Sequence, residues 1–242
     1  ISELDETLKW SSEQIQKADQ AKRDLIANVS HDLRTPLTMI TGYGEMMLDL
    51  PDEKNDENIQ VIVDEAKRMT LLVNDLLDLS KMNENKIEIH KEVFDLTKLI
   101  ENTILKYDLY KDKGFVFNLN LAQHVLVEAD ENRIAQVIHN LINNAINYSL
   151  DKKQIDITLE TINKVAIVHV KDYGMGISEH KLPYIFERYY KIDKEHKRSS
   201  AGSGIGLAIV REILELHGTK CRVKSKVNEG SEFYFSLPLR NS

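Results

Sequence analysis

A chain of 242 residues is long enough for a sizeable core and for two domains. Its formal net charge of −7 excludes general nucleic-acid binding, which needs a basic face. The single cysteine, Cys221, has no internal disulfide partner, so a reducing compartment is the default, and no apolar run approaches the ~18 residues that span a bilayer. The chain starts at Ile1 inside a charged, helix-like stretch with no signal peptide in view. It is read as a piece of a longer protein, whose other part could hold a membrane span.

Leu4, Leu8, Ser11, Ile15, Ala18, Lys22, Leu25 and Val29 alternate spacings of four and three, the pattern of a coiled-coil seam or of an amphipathic helix. The apolar residues run on through Leu33, Leu37, Ile40 and Met47. A polar stretch with a proline, Asp49–Asp56, reads as a turn. A second helix follows, with Ile59, Ile62, Ala66, Met69, Val73 and Leu76 on its stripe and Val63, Leu72 and Leu77 widening it. Two helices with such broad stripes cannot bury them against each other alone. A second copy of the chain, forming a four-helix bundle across a two-fold axis, solves this.

After Lys81 the pattern changes. Lys86–His90 alternates like a strand, and Asp95 can cap a helix from Leu96 to about Tyr110 that Gly114 ends. Phe115–Leu121 and Val125–Ala129 read as strands, and Asp130 caps a helix to Tyr148. Ile155–Glu160 and Val165–Lys171 read as a hairpin through Asn163. A long irregular stretch, Asp172–Ser203, leads to a helix from about Ile205 to Leu216 and two strands, Arg222–Val227 and Glu232–Leu237. The expected fold is therefore α+β: a helical hairpin in a dimeric bundle, then an α/β sandwich with a mixed sheet.

The chemistry of the first half centres on Ser30-His31-Asp32-Leu33-Arg34-Thr35-Pro36-Leu37. His31 lies two positions from both Val29 and Leu33, which at about 100° per residue puts it opposite the apolar stripe. Arg34 and Thr35 share its face and Asp32 flanks it. Pro36 removes the donor to the Asp32 carbonyl, so a bend is expected there. A solvated surface histidine is one reading. The other is a nucleophile at Nε2, with Nδ1–H held by the neighbouring carboxylate. An interior proline costs a helix about 3 kcal/mol and calls for a reason, which weighs toward the second. The eight histidines show no metal-ligand spacing.

In the second half, Gln136, Asn140, Asn144 and Asn147 fall on one helical face with Asn143 alongside. Neutral amides on one stripe suit phosphate and a hydrated Mg²⁺, although an Asn-rich solvent face would look the same. Asp172-Tyr173-Gly174-Met175-Gly176 follows a strand. A carboxylate there can accept from an adenine amino group and would repel the O6 of guanine, yet D-x-G-x-G also occurs in plain turns. Gly202-Ser203-Gly204-Ile205-Gly206-Leu207 opens a helix, where backbone N–H groups bind phosphate. Between these clusters, Phe186–Lys191 with Lys194, Lys197 and Arg198 reads as a solvated loop or as a lid over phosphates.

Taken together these motifs resemble the sensor histidine kinases of two-component signalling. The likeness runs from Leu25 to Leu239, through an H-box at Ser30–Leu37, an N-box at Asn140–Ala145, glycine boxes at Asp172–Gly176 and Gly202–Leu207, an F-box at Phe186–Tyr190 and a closing motif at Gly230–Phe233. It implies a coiled-coil linker over 1–22, a dimerisation and phosphotransfer domain over 23–84 and an ATP-binding catalytic domain over 85–242. His31 would be phosphorylated, Asp32 would act as base and orienter, and Thr35 would place water for dephosphorylation of the partner. Asn144, supported by Asn140, would ligate Mg²⁺. Asp172 would recognise adenine, Arg188 would reach the γ-phosphate, and Gly202, Gly204 and Gly206 would wrap the phosphates of ATP. Asn147, Tyr148, Gly174, Gly176, Lys191 and Leu207 belong to the same implied nucleotide site.

Three positions depart from the family pattern. Asn147 and Lys191 stand where a basic residue and an arginine are usual, and Thr219 replaces a glycine. The implied activity is ATP-dependent autophosphorylation of a homodimer, followed by transfer to an aspartate of a response-regulator receiver domain, in the cytoplasmic part of a bacterial membrane-bound sensor. The nucleotide domain must swing to meet His31, which makes a hinge near Met82–Lys86 part of the mechanism. A phosphatase-dominant protein and a catalytically degenerate scaffold are the alternatives. ATPases of the gyrase, mismatch-repair and chaperone type share the asparagine and glycine boxes but lack a histidine like His31.

Overall fold

The computed structural model describes residues 2–83, 89–188, 190 and 204–240, which divide into two compact units, 1–74 and 75–242. In the first unit, helix α1 spans Ser2–Asp49 and helix α2 begins at Asp56, running to Asn83. The side chains of the seam positions from Leu4 to Leu25 lie outside the described residues. A single 3-10 turn, Pro51–Glu53, joins the helices. Asn55 caps α2, its Oδ1 accepting the Asn58 N–H at 2.9 Å.

Pro36 is buried inside α1, and the helix carries on through it without a break. Thr38 and Thr41 hydroxyls donate to the carbonyls four residues back, Arg34 and Leu37, at 2.9 Å each. Apolar side chains stay in water on both helices, among them Ile26, Leu37, Leu48, Ile59, Val63 and Val73.

The second unit is a two-layer sandwich. Its five-stranded mixed sheet has the order β2-β4-β5-β7-β6: β2 is Val116–Leu121, β4 Gln154–Ile162, β5 Val165–Asp172, β6 Arg222–Lys226 and β7 Gly230–Pro238. β2 pairs parallel with β4, and every other pair is antiparallel. β1, Glu92–Asp95, and β3, Leu126–Ala129, form a separate antiparallel pair.

Strand alternation sends Ile155, Ile157 and Leu159 of β4, Ala166, Val168 and Val170 of β5, and Phe233, Phe235 and Leu237 of β7 to one face. Helix α5, Glu131–Tyr148, covers that face with Ile134, Val137, Ile138, Leu141, Ile142 and Ala145. Helix α3, Leu96–Leu105, and helix α6, Gly206–Leu216, both pack against α5.

Buried His217 ties α6 to α5. Its Nδ1–H donates to the Ile213 carbonyl at 2.7 Å, and Nε2 accepts the Asp130 N–H at 3.0 Å. Asp130 in turn caps α5 by accepting the Arg133 N–H at 3.1 Å, and takes the His90 N–H at 3.1 Å on its other oxygen.

Two expectations are corrected. Of the strand expected over Lys86–His90, residues 86–88 lie outside the described residues and Ile89 and His90 form no strand. The pairing with β3 instead begins at Glu92, opposite Ala129. The helix expected to run to Tyr110 ends at Leu105, and a short helix α4, Asp108–Lys111, follows. The break turns Tyr107 inward, where its hydroxyl bonds His139 Nδ1 and, at 3.0 Å, Asn143 Oδ1 of α5. Burial holds the Tyr107 phenol above its ordinary pKa and the His139 imidazole below its own.

Gly176 is fixed by two requirements at once. It has φ +66°, and a Cβ there would sit 1.9 Å from the Lys226 carbonyl oxygen. Gly218 has a similar φ of +75° with nothing within 4 Å. Gly218→Ala is therefore expected to lower stability by about 1 kcal/mol, the left-handed penalty alone. Gly176→Ala should lower it by about 3 kcal/mol or more, because main chain must move. Thermal unfolding of the two variants, followed by circular dichroism, checks the difference.

Candidate functional site

In the first unit the side chain of His31 is 78% exposed, and its Nδ1 lies 3.6 Å from Oδ1 of the well-covered Asp32. That is ion-pair range, slightly beyond a hydrogen bond. The Thr35 hydroxyl donates to the His31 carbonyl at 3.3 Å. Arg34 and Thr35 are both exposed, so His31 stands on a polar, open face of α1.

The second unit holds a pocket with about 420 Å³ of open space, mouth included. Asn144 and Tyr148 of α5 form one wall, and Asp172, Met175, Gly176 and Ile177 after β5 form another. Ile185 and Tyr190, then Leu207 of α6 and Ser231 of β7, complete it. The walls are mostly apolar with few polar groups, as suits a flat heteroaromatic ring.

Asp172 is the polar centre of this pocket and is only 2% exposed. It occupies the next inward position of β5 after Ala166, Val168 and Val170, so the pleat drives a carboxylate into the core. Its Oδ1 accepts the Gly174 N–H at 2.9 Å and the Ser231 N–H at 3.2 Å. Among the described residues its Oδ2 has no hydrogen-bond partner and is open to a ligand. Burial pushes the carboxyl up to about 6, against the opposing pull of the Gly174, Ser231 and its own backbone N–H groups.

Close backbone packing builds the loop around it. A Cβ on Gly174 would meet the Tyr148 carbonyl oxygen at 2.0 Å, and the Met175 N–H reaches the same oxygen at 3.3 Å. The Asn228 N–H donates to the Met175 carbonyl at 2.7 Å, and the Ile177 N–H to Ser225 Oγ at 2.8 Å. The β6–β7 turn thus props the loop from the far side.

Of the residues expected in a nucleotide site, Asn144, Tyr148, Asp172, Gly176 and Leu207 line the pocket, while Gly174 acts through Asp172. Asn140 lies one turn before Asn144, beside Gly206 at the start of α6, and its Nδ2 is buried without a hydrogen-bond partner. Gly204 has φ +68° just before that helix. A donor left unsatisfied beside a glycine helix start fits a phosphate oxygen. Asn147 is half-buried and outside the lining. Arg188 is not in the lining either: its guanidinium pairs with Glu212 of α6 at 2.8 Å. Lys191 and Gly202 lie outside the described residues, as do Lys194, Lys197 and Arg198 of the expected lid.

Five wall residues carry no individual expectation from the sequence: Met175, Tyr190 and Ser231 sit inside the glycine box, the F-box and the closing motif, while Ile177 and Ile185 lie outside every motif. Ser231 had a legible signal. It directly precedes Glu232, which pairs with Lys171, so it falls opposite Asp172.

Known proteins share this arrangement. Residues 21–85 match the His Kinase A (phospho-acceptor) domain, and residues 129–241 match the histidine kinase-, DNA gyrase B-, and HSP90-like ATPase domain. Sensor protein SrrB of Staphylococcus aureus (strain N315) is 37% identical over 225 residues, which are 91% of this chain and 38% of that protein. The chain therefore spans well under half the length of that relative. Among solved structures, the catalytic domain of histidine kinase ThkA is 30% identical, with a TM-score of 0.55 over 62% of this chain and 95% of that one. Histidine kinase AdeS of Acinetobacter baumannii, 24% identical, shares the fold with a TM-score of 0.69 over 87% of this chain and 98% of that one. With an exposed histidine in the phospho-acceptor match and a carboxylate-centred pocket in the ATPase match, the chain belongs to the sensor histidine kinases of two-component systems.

Proposed function

We propose that this chain is an ATP-dependent autokinase that phosphorylates His31 and passes the phosphoryl group to an aspartate of a response-regulator receiver domain. The observation that carries the reading is Asp172: a buried carboxylate with one oxygen fixed by two backbone N–H groups and the other left for a donor on the ligand. The exocyclic amino group of adenine supplies that donor, and the apolar walls take the ring.

The residues then divide the work. Asn140 and Asn144 would serve the phosphate end from α5, and Gly204 and Gly206 would offer backbone donors there. Mg²⁺, when bound through Asn144, would neutralise phosphate oxygens. His31 attacks the γ-phosphorus through Nε2, ADP leaves, and Asp32 stabilises the positive charge that the imidazole develops. Arg188 reaches the γ-phosphate only after leaving Glu212.

The exposed apolar side chains of α1 and α2 support a homodimeric four-helix bundle, the norm of this family. The boundaries 1–22, 23–84 and 85–242 remain our division of the chain, and the two domain matches support it. No helix among the described residues is long and apolar enough to cross a membrane. We place this chain in the cytoplasmic part of a membrane-anchored sensor, by analogy with the sensor protein it matches.

Thr35, with its hydroxyl one turn from His31, supports phosphatase activity toward the regulator as a second output.

The test is incubation with γ-labelled ATP and Mg²⁺. A protein-bound label that is labile in acid and stable in alkali is expected. A label stable in acid, or no label, overturns the autokinase reading; no label with tight ATP binding favours the phosphatase-dominant or scaffold alternative.

A further inference from the structure

We propose that Tyr173 is a positioning residue for the nucleotide: anchored on the outer face of the sheet by Asp156, Lys152 and Lys171, it fixes the turn that presents the Asp172 carboxylate to the pocket. The proposal rests on the reading of Asp172 as the adenine contact.

Strand alternation sets up the device. Asp172 ends β5 pointing inward, and Tyr173, the next residue, points to the opposite face. There its hydroxyl donates to Asp156 Oδ2 of β4 at 2.5 Å. The other Asp156 oxygen, Oδ1, accepts from Asn118 Nδ2 of β2 and from Gln154 Nε2, both at 2.8 Å. Both carboxylate oxygens are therefore occupied, and the anchor is itself tied to two strands.

The ring is held as well as the hydroxyl. Lys152 Nζ lies 3.5 Å from the ring centroid and Lys171 Nζ 4.8 Å from it. Hydrogen bonding to Asp156 raises the Tyr173 phenol above its ordinary pKa, so the hydroxyl keeps its proton and remains a donor. Burial works against the Asp156 charge, but its three donors and Lys171 outweigh it and hold that carboxyl below the usual range.

The main chain between the two faces has almost no slack. On one side Gly174 lies against the Tyr148 carbonyl, and on the other a Cβ on Gly230 would sit 2.7 Å from Tyr173 Cα. Between two such contacts, rotation of the Tyr173 backbone is the main remaining freedom of the turn. That rotation would move the Gly174 N–H away from Asp172 Oδ1. The hydroxyl-to-Asp156 bond opposes it.

The experiment measures ATP affinity by calorimetry on the whole chain, with ATP KM and kcat for labelling of His31 alongside. Tyr173→Phe keeps the ring and its lysines and loses only the hydroxyl. We expect ATP Kd and KM to rise about fivefold to tenfold, with kcat changed by less than about twofold and the melting temperature nearly constant. Asp156→Ala should give the same loss, and the double variant no more than either single one. Thr158→Ala, on the same outer face of β4, should leave Kd alone. Unchanged Kd in Tyr173→Phe and Asp156→Ala would overturn the proposal, as would losses that multiply in the double variant. If the unaltered chain and Asp172→Asn bind ATP equally, the adenine reading itself fails and takes this proposal with it.

Discussion

His31→Gln is expected to lose the acid-labile label by at least about 100-fold while binding ATP as before. Glutamine has the size and polarity of histidine at this position but no nucleophilic ring nitrogen, so the route to a phosphoramidate closes entirely. The side chain is 78% exposed, so the helix should be unperturbed. Gel autoradiography with γ-labelled ATP measures the label, and calorimetry measures nucleotide affinity. Label retained in the variant would move the acceptor to another residue. Lost label together with lost ATP affinity would point to misfolding instead. Calorimetry reports on the second unit alone, so it separates loss of the acceptor from loss of the nucleotide site.

Asp172→Asn should weaken ATP binding by about 100-fold and yet leave the empty protein as stable as before, or more so, at pH 7.5. The affinity loss has two parts. A charge-assisted hydrogen bond to the adenine amino group disappears, and with Oδ1 still accepting from Gly174 and Ser231, the new amide would point a donor at a donor.

The stability effect runs the other way. Burial pushes the folded carboxyl up to about 6 from its ordinary 3.8, so folding favours the protonated form. That contribution is fully present below about pH 4 and is lost as pH rises through about 6. At pH 7.5 the ionised group burdens the fold by an amount on the order of 2–3 kcal/mol at most, which asparagine removes. Thermal melts of both proteins at pH 4.5 and 7.5 check the sign: the advantage of the variant should shrink at the lower pH. By the same linkage, ATP affinity of the unaltered chain should fall as pH drops below about 6. A variant less stable than the parent at pH 7.5 would show that the charge of Asp172 holds the loop together by itself.

Much of the fold was legible because local signals and tertiary demands agree. Asp130 followed by apolar residues at helical spacing gives α5 its bounds, Glu131–Tyr148, and the N-cap bond to Arg133 is the physical form of that signal. The hairpin between β4 and β5 turns on Asn163 and Lys164, both with positive φ. Asp172 stood out through its glycines. Its inward register was also readable, from the alternation of Ala166, Val168 and Val170 before it.

What escaped depends on contacts distant in sequence. The apolar spacing from Leu96 to Tyr110 is continuous, and only His139 and Asn143, more than thirty residues on, explain why Tyr107 breaks the helix. Ile89 and His90 close an alternating run, yet among the described residues pairing with β3 begins at Glu92. Of the pocket walls, Ile177 and Ile185 lie outside every motif, and nothing in their own short segments marks them for a ligand.

The strand order of the second unit also bears on its solubility. Among the described residues β6 and β2 are the two edge strands of the sheet. β6 alternates exposed Arg222, Lys224 and Lys226, a row of like charges that repels a second copy of itself and so blocks edge-to-edge growth. β2 has no such guard: its exposed residues are Val116, Asn118, Leu119 and Asn120. Aggregation of this domain by strand addition would therefore start at β2, and a lysine in place of Val116 is the substitution that would close that edge.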